Sequence, residues 1–294
     1  MARFSPTDAV FAGFRFVRER PATILVWAAY YLVVMAVALT AMADLGGDSL
    51  GALPIAAQGA NPDPQQLMKL MNDVLPAVMF SGLVMVVFGA VLSTAILRVR
   101  MTPGPHTWGG LRLGGSELRL LAAKLLVLAA AFVVEIVVSL LAATLEGVGA
   151  PGVLALSVGL VFLMAPLMIR LSLAGVVSQA EGRINPARSF QLTQPLFWRL
   201  LGAYVLLGAI MLVILVLVTI IFTALLGAVT LSAGGNMDQM AMALLHGRMA
   251  DLNPLAVAIY VMGSMVRVWV AVVATVVFLS VAVDAYQAGL REQK

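Results

Sequence analysis

The chain has 294 residues, of which 62% are hydrophobic and only 11% charged, with a mean hydropathy of +1.03, far from the roughly 25% charged composition of a soluble domain. Its net charge of +4 comes from basic residues spread beside apolar runs, a pattern that orients a membrane protein and excludes nucleic acid as a partner. No cysteine is present, which rules out disulfides, thiolate metal sites and cysteine nucleophiles.

The first element is announced by "SPTD", with Ser5 as N-cap, Pro6 at N1 and Asp8 at N3. Val10, Phe11, Phe14 and Val17 then share one face, with Arg15 and Glu19 opposite and Arg18 free to snorkel, which predicts a helix lying in the headgroup layer. A helix packed on the protein's own loops is the alternative. A crossing of about 30 Å needs about 20 apolar residues, and six stretches qualify: 22–43, 74–97, 120–145, 152–174, 200–231 and 254–284. Ala41 and Ala43 resemble a signal-peptidase site, but the run before them exceeds the about 7 to 15 residues of a signal core, so a retained span is expected.

Between spans, Asp63-Pro64 predicts a short amphipathic helix through Leu67, Leu70 and Met71 over the outer mouth. "GGLRLGG" at 109–115 lacks the Lys-Ser/Thr of a phosphate loop and reads as an interfacial turn. Pro166 should bend the fourth span. Arg170 and Asp284 lie near inner helix ends, where snorkelling keeps them wet. In the segment 236–249, Met237, Met240, Met242 and Met249 beside His246 offer the soft ligands of a Cu(I) site, although a greasy cap helix is the expected reading. His106 falls on the opposite side of the bilayer from His246, so the two cannot share a metal.

Basic residues divide sharply between alternate sides of these spans. Only Lys69 and Arg248 fall on one side and Arg267 within a span, while the rest fall on the other, which places both termini in the cytoplasm. "GFRF" at 13–16 recurs as "GLRL" at 110–113 and "SFQL" at 189–192, the last opened by the N-cap and N1 pair Asn185-Pro186. The expected fold is an all-α integral membrane protein, a single membrane domain 1–294 with pseudo-repeat units of about 1–97, 98–174 and 180–294. Its six transmembrane helices form three hairpins, each preceded by a cytoplasmic interfacial amphipathic helix.

The stretch "NPARSFQLTQPLFWRLLGAYVLLG" at 185–208 resembles the membrane region attached to some bacterial glycerophosphoryl diester phosphodiesterases and its stand-alone relatives. That resemblance implies a multi-pass protein of the bacterial inner membrane connected with lipids or the envelope. The catalytic domain, with its metal-binding acids and histidines, has no counterpart here, so no enzymatic activity, cofactor or metal is carried over.

Two deep charges remain. Glu135 and Arg267 lie within about one helical turn of each other in depth, and each alone would cost about 2.5 to 3.5 kcal/mol at mid-bilayer, so an intramembrane ion pair is expected. Arg15, Arg18, Arg20, Arg112, Arg119, Arg188 and Arg199 are the candidate headgroup contacts. The function read from these features is a non-enzymatic inner-membrane bundle that organises lipids, anionic ones among them, or binds a membrane protein partner or a second copy of itself. The alternative is a transporter using the Glu135/Arg267 site.

Overall fold

The computed structural model describes residues 4–58, 64–102, 104, 107–112, 114–144, 159, 166–236, 240 and 252–292, and for 48, 51, 53–58, 64, 107, 130, 131, 134, 135, 137–144, 186 and 292 the backbone alone. Among them every regular element is helical and none is a strand. In order these are α1 (Pro6–Glu19), α2 (Pro21–Gln58), α3 (Pro64–Met101), a 3-10 turn (Thr107–Gly110), α4 (Gly115–Thr144), α5 (Ala174–Glu181), α6 (Pro186–Thr193), α7 (Phe197–Ser232) and α8 (Pro254–Glu292).

The helix starts follow from their caps. The Ser5 hydroxyl accepts from the Asp8 amide at 3.4 Å, and the Asn185 side chain accepts from the Arg188 amide at 3.1 Å, each just before a proline whose missing N–H costs nothing there. Asn253 serves α8 similarly, accepting from Leu255 N at 2.9 Å. At the far end of α7, Gly234 turns left-handed at φ 72° and Gly235 N returns to Thr230 O at 2.9 Å, closing the last turn.

Among the described residues four helical stretches are long and apolar enough to cross a membrane: Pro21–Gly47, Gln65–Met101, Phe197–Ser232 and Pro254–Arg291. They correspond to the first, second, fifth and sixth expected spans. The third expected span falls on α4, which is helical throughout, and most of the fourth lies outside the described residues. The helix expected to begin at Pro64 is no separate cap; it is the opening of α3, and Met68 and Met71 are exposed. The helix runs unbroken from Pro64 into the span, with Pro76 accommodated inside it at the loss of one ladder bond.

Hydroxyls within these helices turn back on their own backbone. Thr40 donates to Ala36 O, Ser93 to Gly89 O, Thr94 to Ala90 O, Thr230 to Leu226 O and Ser264 to Tyr260 O, all at 2.7 to 3.0 Å. Each is thereby satisfied four residues back.

The chain divides into two compact units, one of Met1–Thr23, Gly89–Gly208 and Thr275–Lys294, the other of Ile24–Phe88 and Ala209–Ala274. In the second, Val34, Ala38 and Val84 form an apolar cluster between α2 and α3. It is reinforced by Tyr30 donating to Phe88 O at 3.0 Å and Ser81 to Ala38 O at 3.0 Å. Gly263 of α8 lies so close to the Phe222 ring of α7 that a Cβ would meet it at 2.9 Å. Met240 is buried with Leu226, Ala256 and Ile259, and its sulfur lies 2.9 Å from the Thr230 hydroxyl oxygen. Met240 thus packs; Met237, Met242, His246 and Met249 lie outside the described residues.

In the first unit, α1 packs on the protein through a face that shares Val10 alone with the apolar one expected to meet the headgroup layer. Ala9, Val10, Gly13 and Phe16 are buried, while Phe11 is 55% exposed. The reason is Gly13, where a Cβ would sit 3.0 Å from the Val277 backbone of α8. A residue with no hydrophobic signal sets the contact face because it lets two backbones approach.

Candidate functional site

The three related tetrapeptides fall in the first unit with one burial pattern. Gly13, Gly110 and Ser189 are buried; Arg15, Arg112 and Gln191 are exposed; Phe16 and Leu192 are buried again, Leu113 lying outside the described residues. Each small residue makes a close contact. A Cβ on Gly110 would meet Val99 at 3.2 Å, and the Ser189 hydroxyl donates to Arg170 O at 2.5 Å. The second copy is not the surface helix expected of it. It lies in the 3-10 turn and the irregular residues after it, because Trp108, Gly109 and Gly110 all take positive φ, at 53°, 62° and 74°, which ends an α-helix.

That turn is held from below. Arg98, near the end of α3, donates to Gly110 O, to the Ser116 hydroxyl at 3.0 Å and to Glu117 Oε1. The pair is deep, with the Arg98 side chain 11% and Glu117 4% exposed. Burial pushes the Glu117 carboxyl up, but hydrogen bonds from Arg98, Ser116 and its own amide, with the Arg98 charge, outweigh it and hold the group below its ordinary 4.5. A depressed carboxylate contributes stability above its unfolded value and loses it as pH falls through the folded one. Wild-type protein should therefore lose more thermal stability than Glu117→Gln between pH 5 and about pH 3. Parallel melting curves for the two across that window would contradict the assignment.

Above this clasp stands Trp108. A bulky residue at positive φ is a genuine outlier, costing of order 1–3 kcal/mol unless its surroundings impose it. Here the reward is not burial, since the indole is 80% exposed. Trp198, at the start of α7, is 78% exposed. Arg15, Arg18 and Arg112 are exposed in the same unit.

The other expected headgroup contacts are more engaged with the protein. Arg188 pairs with Glu181 at 3.6 Å, Arg20 lies 5.5 Å from the Phe16 ring centroid, and Arg119 and Arg199 are half-buried. Asp284 does more than snorkel: it pairs with Arg100 at 3.1 Å, and Arg100 also lies over the Phe16 ring at 5.5 Å, joining α1, α3 and α8. Arg170 sits 5.9 Å from the rings of both Phe190 and Phe197. Arg267 is half-buried in α8. The Glu135 side chain, and so the expected Glu135–Arg267 pair, lies outside the described residues.

Sequence reasoning missed Lys124, Arg98 and Glu117 as a group. Lys124 of α4 reaches back to α3, donating to Gly89 O at 2.9 Å and the Ser93 hydroxyl at 2.8 Å. Its position, nine residues into an apolar helix and 31 residues beyond Ser93, was the available signal, since a lysine that deep needs a partner. Among the described residues no three His, Cys, Asp or Glu gather as metal ligands.

Comparison with family models, curated proteins and solved structures finds no match. The site therefore stands on its own geometry.

Proposed function

We propose that this protein is a six-span, non-enzymatic membrane protein, both termini cytoplasmic, whose first unit engages the anionic headgroup layer of a bacterial inner membrane. The observation that carries this reading is Trp108, held at positive φ with its indole exposed. Backbone strain spent on presenting an aromatic ring outward makes sense where the outside is an interface, the environment in which tryptophan is enriched. Arg15, Arg18 and Arg112, exposed in the same unit, supply the positive charge that attracts anionic lipid, each worth about 1 kcal/mol near such a surface. The charge alternation along the sequence and the resemblance of residues 185–208 to an envelope-associated membrane region support the same reading. A transporter would rest on the Glu135–Arg267 pair, for which no geometry speaks.

The test is the lipid that stays with the full chain when it is purified in a neutral detergent. Anionic lipid should be enriched over the parent membrane extract, and the triple variant Arg15→Gln, Arg18→Gln, Arg112→Gln should return to the extract's ratio. An unenriched wild type overturns the proposal. Single cysteines at Ser49 and Gln287 check its topology: an impermeant thiol reagent outside intact cells should label the first and spare the second.

A further inference from the structure

In the first unit, a cavity of about 250 Å3 opens between α3, α4, α5 and α8, with Leu97, Leu120 and Phe278 among its apolar walls. It falls just below the roughly 300–1,000 Å3 that ligand pockets occupy, room for the head of a ligand rather than the whole of a large one. Three side chains give it polarity: Ser93, Lys124 and Ser172. Both hydroxyl protons are committed to backbone, Ser93 to Gly89 O at 2.7 Å and Ser172 to Ile169 O at 2.7 Å. The ammonium is different. Two of its three N–H groups go to Gly89 O and Ser93 Oγ, both neutral acceptors, which among the described residues leaves one donor over.

No carboxylate lies within 4.0 Å of Lys124 among the described residues. In the same unit, Glu117 is paired with Arg98, Asp284 with Arg100, and Glu181 with Arg183 and Arg188. A cation in an apolar cavity without a counter-charge is costly. The missing partner is therefore an anion, and a small one: with one spare donor and one charge, the cavity suits a carboxylate better than a phosphate, whose oxygens would want more donors. A sugar or other polyol would find its hydroxyls without partners. Apolar walls call for an apolar tail, and Met168 and Phe278, both cavity-lining and both exposed, flank a way in from the apolar surface.

We infer that this cavity holds the head of a single-chain fatty acid, its carboxylate paired with the Lys124 ammonium. The inference rests on the proposed function only in setting this unit against a bilayer, from which the chain would enter.

The probe is oleate, added to the full-length protein stripped of lipid in a neutral maltoside detergent at a pH where oleate is ionised. At a tenfold excess over its Kd it should raise the melting temperature by about 3 °C. Oleyl alcohol, with the same chain and no charge, should give less than a third of that. Lys124→Arg should keep the oleate shift and Lys124→Gln should lose it. An equal effect of the alcohol, or a full shift in Lys124→Gln, overturns the inference; a larger shift with dodecyl phosphate than with oleate overturns the choice of carboxylate. If Lys124→Gln does not fold, wild-type protein photolabelled with a diazirine fatty acid decides: the label should map to 120–127 or 168–175, and labelling elsewhere alone refutes the site. The triple arginine variant should keep the oleate shift, so that the headgroup proposal and this one fail independently.

Discussion

Truncating Glu117 to alanine is expected to destabilise the protein by about 3–5 kcal/mol, the cost of leaving a buried arginine without its partner. Arg98 and Glu117 are both nearly inaccessible, so water cannot compensate either one when the other is lost. The double variant Arg98→Met, Glu117→Leu should recover much of the loss, because two well-packed apolar side chains replace an ion pair at little net cost. It should not recover the turn. Arg98 also holds Gly110 O, and without it the strained backbone at Trp108 can relax, which a shift in tryptophan emission would report. Thermal melts of the two single variants and the double in detergent provide the cycle. Additive losses, or single variants as stable as wild type, would mean that the pair is not energetically coupled.

The second large effect is expected at Gly13. A Cβ there would lie 2.9 Å from Val277 Cγ1 and 3.0 Å from Val277 Cα, and a backbone atom cannot swing aside as a flexible side-chain tip can. Gly13→Leu should therefore push α1 off α8, at about 1–3 kcal/mol for overpacking. Freed from α8, the helix would fray and give trypsin access to the backbone at Arg15 and Arg18, whose side chains are already exposed, so cleavage there should quicken several-fold while the rest of the chain resists. Unchanged cleavage with an unchanged melt would show that α1 does not depend on that close contact.

Much of this architecture was legible from the sequence, and the parts that were share a cause. Ser5 and Asn185 cap helices through contacts only three residues away, and the long apolar runs answer to a periodic, local rule; both are written in neighbouring residues. What was not legible depends on distant ones. The face that α1 buries is chosen by Gly13 meeting Val277, and the irregular turn at "GLRL" is imposed by Arg98 from the preceding helix. The repeat match predicted a helix at all three tetrapeptides although the glycines around the second also read as a turn, and the turn is what forms; what the three have in common is burial of the first residue and exposure of the third. Lys124 was read as a cytoplasmic flank, because counting charges assigns a lysine to a side without asking what its ammonium touches.

The hydroxyls that bond back to their own helices bear on how such a chain enters a membrane during synthesis. Ser93, Thr94, Thr230 and Ser264 need no neighbour to be satisfied, so each helix can leave the translocation machinery as a finished unit, before the next has been made. On the six-span reading α4 cannot. Among the described residues its Lys124 finds acceptors on α3, at Gly89 and Ser93, and an unaccompanied lysine in hydrocarbon costs about 2.5 to 3.5 kcal/mol even on a lenient scale. Because α3 is translated first, those acceptors are already waiting when α4 emerges. A chain rearranged so that α4 came out ahead of α3 would present the bilayer with a bare ammonium, and its membrane integration should stall at that step.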